Sequence, residues 1–382
     1  MAQYRYLLYD LLTNTPITEL PLTGVSFTEQ LNSAGTFSAT LLITDSTENA
    51  LSVIQGTQPA RTALYVERSD LANNVGRSLV WGGIVWSRSY NSTTQSITIN
   101  AREFESFLEK IRLQVSLFPI SFPTGANTKA VQFTNVDQFQ LVQMIMSAAQ
   151  SRTGSNIGIQ VPGTLSGALA NVVYSDTDYK TAYQALLDLS SAQNGFDFNV
   201  DVYYDGTGTP QKILNLGYPQ IGYRYVSGDP NAPVLQLPGN VLEYEYEEDG
   251  SLTANYVSAV GNNNATQSYS NAAAITAGYP FMQEVVNYSD ITDTTLLSGI
   301  AQGRANALAV PPTTLKVTQI ASQQPTVGVV NPGDDMRVII NDARFPNGLN
   351  AVYRVTAITT TPNESGGPEQ ITYSLTQPNN IY

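Results

Sequence analysis

Ser96-Ile97-Thr98-Ile99-Asn100-Ala101, with Gln95 before it, alternates polar and apolar residues. That period of two places Ile97 and Ile99 on one face and Thr98 and Asn100 on the other, as in a half-buried strand. Working outward, Ser78–Trp86 and Ala63–Arg68 are rich in β-branched and aromatic residues, and so are Thr36–Ile43, Val25–Gln30 and Tyr4–Leu12. Asn32-Ser33-Ala34-Gly35 and Asn73-Asn74-Val75-Gly76 supply turn residues between them. A run of short strands with intervening turns predicts a small barrel or sandwich over residues 1–112. Ala101–Arg112, with Phe104, Phe107 and Leu108 at helical spacing, predicts a short helix that closes it.

The pattern then changes. Asn135-Val136-Asp137-Gln138 resembles a capping box that opens a helix to Gln150, with Phe139, Val142, Ile145 and Met146 on one face. A second helix is expected over Asp176–Gln193, with a stripe of Tyr179, Tyr183, Leu186, Leu187 and Ser190 and with Gly195 at its C′ position. Phe196–Tyr204 and Gln211–Leu216 predict a hairpin around Asp205-Gly206-Thr207-Gly208. Residues 113–238 therefore read as an α/β middle domain, ending in the Pro-rich Gly228–Gly239 as a linker.

Strands resume at Val241 and Ala254–Val260. Asn262–Asn271 reads as a loop, and Leu296–Leu308 as a helix stopped by Pro311-Pro312. Leu315–Ile320, Met336–Ile340, Tyr353–Thr359 and Gln370–Leu375 are strand-like, the last two flanking a hairpin loop at Asn363–Gly367. Residues 239–262 and 314–382 then form a second, split β domain, and 263–313 a loop-and-helix insertion. The fold class is mainly β with α+β insertions.

Composition narrows the chemistry. The 382 residues exceed one ordinary core. A net charge of −13 lacks the basic footprint of stable nucleic-acid binding. With no cysteine and no histidine, disulfides, thiolate or imidazole metal sites and Ser-His-Asp triads are excluded. The N-terminus lacks a basic start followed by an apolar stretch, so no signal peptide is expected. No run approaches the ~20 apolar residues of a membrane span.

Several segments resemble baseplate hub or tail-associated (minor tail) proteins of long-tailed phages, most closely those infecting actinobacteria. They are Val25–Thr28 with Gly35–Leu41, Leu64–Arg68 with Val80–Trp86, and Ala101–Glu105. Near the C-terminus Asn331–Val338, with its Pro332-Gly333-Asp334 turn, and Arg354–Ile358 continue the likeness. The resemblance covers almost the whole chain and rests on the order of individually weak motifs. It implies two tail-tube-like β domains per subunit and a homotrimer in the virion tail tip. Such a ring contacts a distal tail ring protein and the tape-measure protein, holds fibre or spike proteins, and lets phage DNA pass without stable binding.

Candidate sites are few. Glu243, Glu245 and Glu247 in Leu242–Asp249 would share one strand face about 7 Å apart. They could form a solvated face, a tube lumen or interface, or a carboxylate pair for glycan hydrolysis. Their environments look alike, so no acid/base division is evident. Trp81 and Trp86 fall on opposite faces of a regular strand, which makes one core and the other an interface residue or exposed. Asp205–Pro210 is too short for a dinucleotide fingerprint, Gly163–Gly167 misplaces its serine for a nucleophile elbow, and Asp290, Asp293, Asp334 and Asp335 lack calcium-loop spacing. No catalytic, cofactor or metal residue is expected. The leading expectation is a structural hub, against a receptor-binding protein for host glycan and a carboxylate-based cell-wall hydrolase.

Overall fold

Alternating sequence becomes an antiparallel sheet in the first hundred residues. Its strands are β1 (Gln3–Asp10), β2 (Pro16–Leu20), β3 (Thr23–Gln30), β4 (Thr36–Leu42), β5 (Thr62–Asp70), β6 (Val75–Asn91) and β7 (Ser96–Glu103). Their order is β3-β4-β7-β6-β5-β1-β2. The computed structural model describes residues 2–43, 53–70, 75–119, 129–191, 195–288, 291–363 and 367–377. The Asn73-Asn74 turn, Asp290 and the Glu364–Gly366 part of the last hairpin loop lie outside them.

Ile97 and Ile99 are buried as their alternation requires, in a core with Phe27, Phe37, Leu64, Val66 and Trp81. β5 differs, since every one of its residues is buried. Leu64 and Val66 face that core, while Ala63 and Tyr65 face a second one built with the middle of the chain. An unbroken apolar run fits a strand covered on both sides. Burying a side chain such as Leu64 stabilises by about 1.5–3 kcal/mol. The helix expected over Ala101–Arg112 is a single turn, Glu105–Leu108, because β7 continues to Glu103.

The middle contains β8 (Ala130–Asp137), β9 (Ile159–Gln160), β10 (Leu169–Ser175), β11 (Asp197–Tyr204) and β12 (Pro210–Gly217), with helices Gln138–Gln150 and Ala182–Ser190. The expected hairpin is β11–β12. Both helix starts differ from expectation. Asp137, not Asn135, caps the first by accepting from the Phe139 amide at 2.9 Å, while Asn135 sits in β8 with a left-handed φ of 54°. The second begins after Thr181, which forms a capping box with Gln184. Tyr179 therefore precedes the helix, at φ 50° and 66% exposed, outside the apolar stripe. The C-cap is Ser191, so Gly195 lies beyond the C′ position.

The rest holds β13 (Val234–Leu237), β14 (Val241–Glu248), β15 (Tyr256–Val260), β16 (Thr266–Ser270), β17 (Gln283–Asn287), β18 (Thr313–Ile320), β19 (Asp335–Ile340), β20 (Leu349–Thr361) and β21 (Gln370–Thr376). The Gly228–Gly239 segment, expected as a linker, contains β13, which pairs in parallel with β19. A four-residue edge strand tolerates flanking prolines. β15 pairs with β16 and β17 in a separate small sheet, not with β14. β16 occupies the expected Asn262–Asn271 loop, and only Tyr269 hints at it, because its other side chains are polar. Helix Thr294–Ala307 covers this sheet through Leu297, Ile300, Ala301 and Ala305.

The second large set runs β14-β18-β21-β20-β19-β13, and its core contains Leu315, Val317, Met336, Tyr353, Val355 and Tyr373. Written beside β3-β4-β7-β6-β5-β1, this is the same order of strands. The long strands β6 and β20 match in detail. Each carries one extra residue against its neighbour, Trp86 in β6 and Thr356 in β20. Val85 and Val355, just before the bulges, each accept a 2.7 Å hydrogen bond, from the Ala60 and Gly333 amides respectively. One chain thus holds two copies of one module. In parallel β13 against antiparallel β1 they differ. Neither module closes into a barrel, because β2 and β14, at the ends of the sheet path, each have one ladder partner among the described residues.

Candidate assembly surfaces

The modules meet edge to edge. β20 pairs with β19 over Leu349–Arg354, then beyond its bulge with β3: Ala357 opposite Gln30, Ile358 opposite Glu29, Thr359 opposite Thr28, Thr360 opposite Phe27. One sheet of thirteen strands results. The bulge makes the hand-over, since it bends the strand and redirects its edge. At the bulge itself the Leu31 amide donates to the Thr356 carbonyl at 2.9 Å.

Polar groups fasten this seam. Arg68 in β5 donates twice to Glu369, at 2.9 Å each, and Tyr4 also donates to Glu369. Both members of the ion pair are nearly buried, with side-chain exposures of 6% and 10%. Asn32, at φ 56°, accepts from the Phe198 amide at 2.7 Å and donates to Asp197 at 2.9 Å. Asparagine tolerates this left-handed turn position. Asp197 in turn pairs with Arg354 at the end of the β19–β20 ladder. The β11 hairpin is thereby bound to both modules.

A group of acids near the seam was not singled out from sequence. Glu103, Glu29 and Asp201 line a cleft of about 370 Å³ beside Trp81 and Asn199. Glu103 accepts from the Gly35 amide at 2.6 Å, and fully buried Glu105 accepts from the Val200 amide. Burial pushes the Glu105 carboxyl up to about 8. Burial, with the Glu105 and Glu29 charges, holds Glu103 well above the usual carboxylate range. The sequence signal was two glutamates flanking apolar Phe104 at a strand end. The hydrogen bonds they accept from backbone amides make them structural ties between the end of β7, the Asn32–Gly35 turn and β11.

The candidates from sequence fall elsewhere. Glu243, Glu245 and Glu247 share the exposed face of β14, with Tyr244 and Tyr246 on the other face against Phe345. Lys316 lies 3.8 Å from Glu245, and Arg344 3.2 Å from Glu248. Trp81 is a core residue and not an interface anchor: it is 1% exposed, its indole donates to the Thr28 carbonyl at 3.0 Å, and its ring centroid is 5.3 Å from that of Phe37. Trp86, the bulge residue, is half-buried, donates to Ser106 at 2.7 Å and carries the Lys110 ammonium over its ring. Among the described residues, no group of three or more Asp or Glu side chains could hold a metal ion, and no helix is long and apolar enough to cross a membrane.

The fold recurs in solved structures. The chain is similar to a tail protein from Neisseria meningitidis MC58, at 12% identity and TM-score 0.59, over 98% of this chain and 96% of that one. It is also similar to the 43 kDa tail protein of prophage MuSo2 from Shewanella oneidensis, at 13% and 0.58, over 99% of each. Prophage tail protein gp18 from Listeria monocytogenes EGD-e matches at 13% and 0.50, over 97% and 94%. No protein-family model matches the sequence, and no curated protein does. The chain therefore has a phage tail-protein fold. Nothing in these likenesses supports the narrower resemblance to actinobacterial phages.

Proposed function

We propose that the protein is a homotrimeric tail-tip hub of a phage or phage-like particle. It caps and continues the tail tube, joins a distal tail ring protein and tape-measure protein to fibre or spike proteins, and lines the channel through which DNA leaves. The observation that carries this reading is the repeated module. Two like modules joined head to tail within one chain make a threefold ring approximately sixfold, and repeated heterologous contacts of this kind close into rings. The chain acts by geometry, without a catalytic step or cofactor. The acidic face of β14 supplies the negative wall past which nucleic acid slides without sticking.

Light scattering and negative-stain imaging of the purified protein test the proposal. A particle of three times the 41.3 kDa chain, seen as a ring with a central hole, is the expected result. A spike-like trimer without a channel would instead fit a glycan-binding tail protein.

A further inference from the structure

The seam inside the chain has a template value, because each module leaves one half of it unused. The first module spends its β3 edge on β20. The equivalent edge of the second module belongs to β14, which has β18 as its one ladder partner among the described residues. Conversely, β20 accepts β3 beyond its bulge, and the equivalent stretch of β6 is Ser87–Tyr90. β5 pairs with β6 no further than Ile84, so among the described residues Ser87–Tyr90 has a ladder only with β7. Ser87, Ser89 and Tyr90 are exposed.

The ladders fix which residues correspond. Matching the bulges sets Val85 with Val355 and Ser87 with Ala357. Their partners Ala101 and Leu375 then correspond, and so do Phe37 and Leu315 one strand further on. Phe27 lies opposite Phe37, and Tyr246 opposite Leu315, so Phe27–Gln30 corresponds to Tyr246–Asp249. Transferring the internal register to two copies places Tyr246 opposite Tyr90, Glu247 opposite Ser89, Glu248 opposite Arg88 and Asp249 opposite Ser87.

We infer that β14 of one copy adds antiparallel to Ser87–Tyr90 of the next in this register, with Glu248 facing Arg88. The occupant of each free edge is a second copy of this chain. Charge supports the choice. The β14 edge carries Glu247, Glu248 and Asp249 together, more acid than the one exposed Arg344 beside Glu248 offsets, whereas Arg88 donates to the Ile54 carbonyl and Thr57 hydroxyl and has no carboxylate partner among the described residues. Opposite charges across a strand pair stabilise it, and two facing tyrosines do the same. At the bulge, the Gly250 amide of one copy meets the Trp86 carbonyl of the next, as Leu31 meets Thr356 within the chain. The inference rests on the ring reading and adds its surfaces and register.

The absence of cysteine allows a direct test with the full chain. Arg88→Cys with Glu248→Cys, and separately Ser89→Cys with Glu247→Cys, place thiols on directly opposed positions. Of two adjacent pairs in an antiparallel ladder, one is the closer kind, so at least one double variant meets disulfide distance. Mild oxidation is expected to give covalent dimers and trimers on a denaturing gel, and none from the single variants. Thr28→Cys with Thr359→Cys, across the internal seam, should oxidise without gaining mass and shows that the chemistry works. Arg88→Glu should abolish association, and Arg88→Glu with Glu248→Arg should restore it. A trimer that fails to cross-link through either pair overturns the register but leaves the ring standing. A monomer without cross-links overturns both.

Discussion

Thr28 and Thr359 share a hydroxyl–hydroxyl hydrogen bond of 2.8 Å across 331 positions of sequence. It lies in the one ladder that, among the described residues, the first strand-rich module shares with the last. The ladder that joins them follows from the extra residue, Thr356, that lets β20 leave β19 and meet β3.

The buried pair beside that ladder should be costly to break. Glu369→Gln leaves Arg68 charged and nearly buried, with Asp70 at 3.7 Å as its remaining carboxylate. A loss of about 3 kcal/mol is expected from denaturant unfolding. Replacing both partners by apolar residues should recover most of it. A loss below about 0.5 kcal/mol would show that the seam is not held there.

Two glycines should respond in opposite directions. A Cβ on Gly35 would lie 1.9 Å from the Thr28 carbonyl oxygen and 2.7 Å from Glu103 Oε2. Gly35→Ala is therefore expected to cost about 1–3 kcal/mol. Gly303, inside helix Thr294–Ala307, has open space around the same position. Gly303→Ala should stabilise by about 0.5–1 kcal/mol. Thermal unfolding of both variants checks the contrast.

Stability should fall as pH rises across the neutral range. Glu105 titrates near 8 in the folded chain and near ~4.3 when unfolded, so the folded state binds the extra proton between those values. Its contribution is whole below the unfolded value and is lost as pH rises through the folded one, with a slope approaching about 1.4 kcal/mol per pH unit. Glu105→Gln keeps an acceptor for the Val200 amide and should make the profile shallower between roughly pH 4.3 and 8 by up to about 1.4 kcal/mol per pH unit, the raised Glu103 carboxyl keeping its own share of the slope. Asp137 and Asp293 are held below the usual range by amide hydrogen bonds, so their contribution disappears only in acid. An unchanged slope in Glu105→Gln would refute the assignment.

The exposed acids of β14 should matter for passage and not for folding. Replacing Glu243, Glu245 and Glu247 by glutamine is expected to change stability by less than about 0.5 kcal/mol per site. Replacing all three by lysine should make assembled rings retain DNA, with affinity falling steeply as salt rises. Gel-shift titration at two salt concentrations reads this out. Lysine rings that ignore DNA would place these side chains away from the channel.

Strands with clean alternation were legible one by one, as Ile97 and Ile99 show. Their partners were not, because pairing β3 with β20 depends on a bulge that leaves no mark in the sequence around Thr356. β13 and β16 were missed because Pro-rich and Asn/Ser-rich segments carry no apolar period, and their ladders come from β19 and β15. Tyr179 looked like a helix residue because spacing alone cannot tell a left-handed turn from a first helical turn. The acidic row on β14 was readable from alternation. The buried acids at Glu103 and Glu105 were not, since burial of a charged residue depends on what the Asn32–Gly35 turn and β11 bring over it.

The double coverage of β5 limits how this protein can be cut and recombined. A strand whose two faces belong to different cores cannot be lifted out with either neighbour, so the first module and the middle of the chain should melt, evolve and be exchanged as one block. The small sheet of β15, β16 and β17 has its own core and enters between β14 and β18. It is the segment that could be swapped for another without disturbing either long ladder, and the natural place to splice in a tag or a foreign domain.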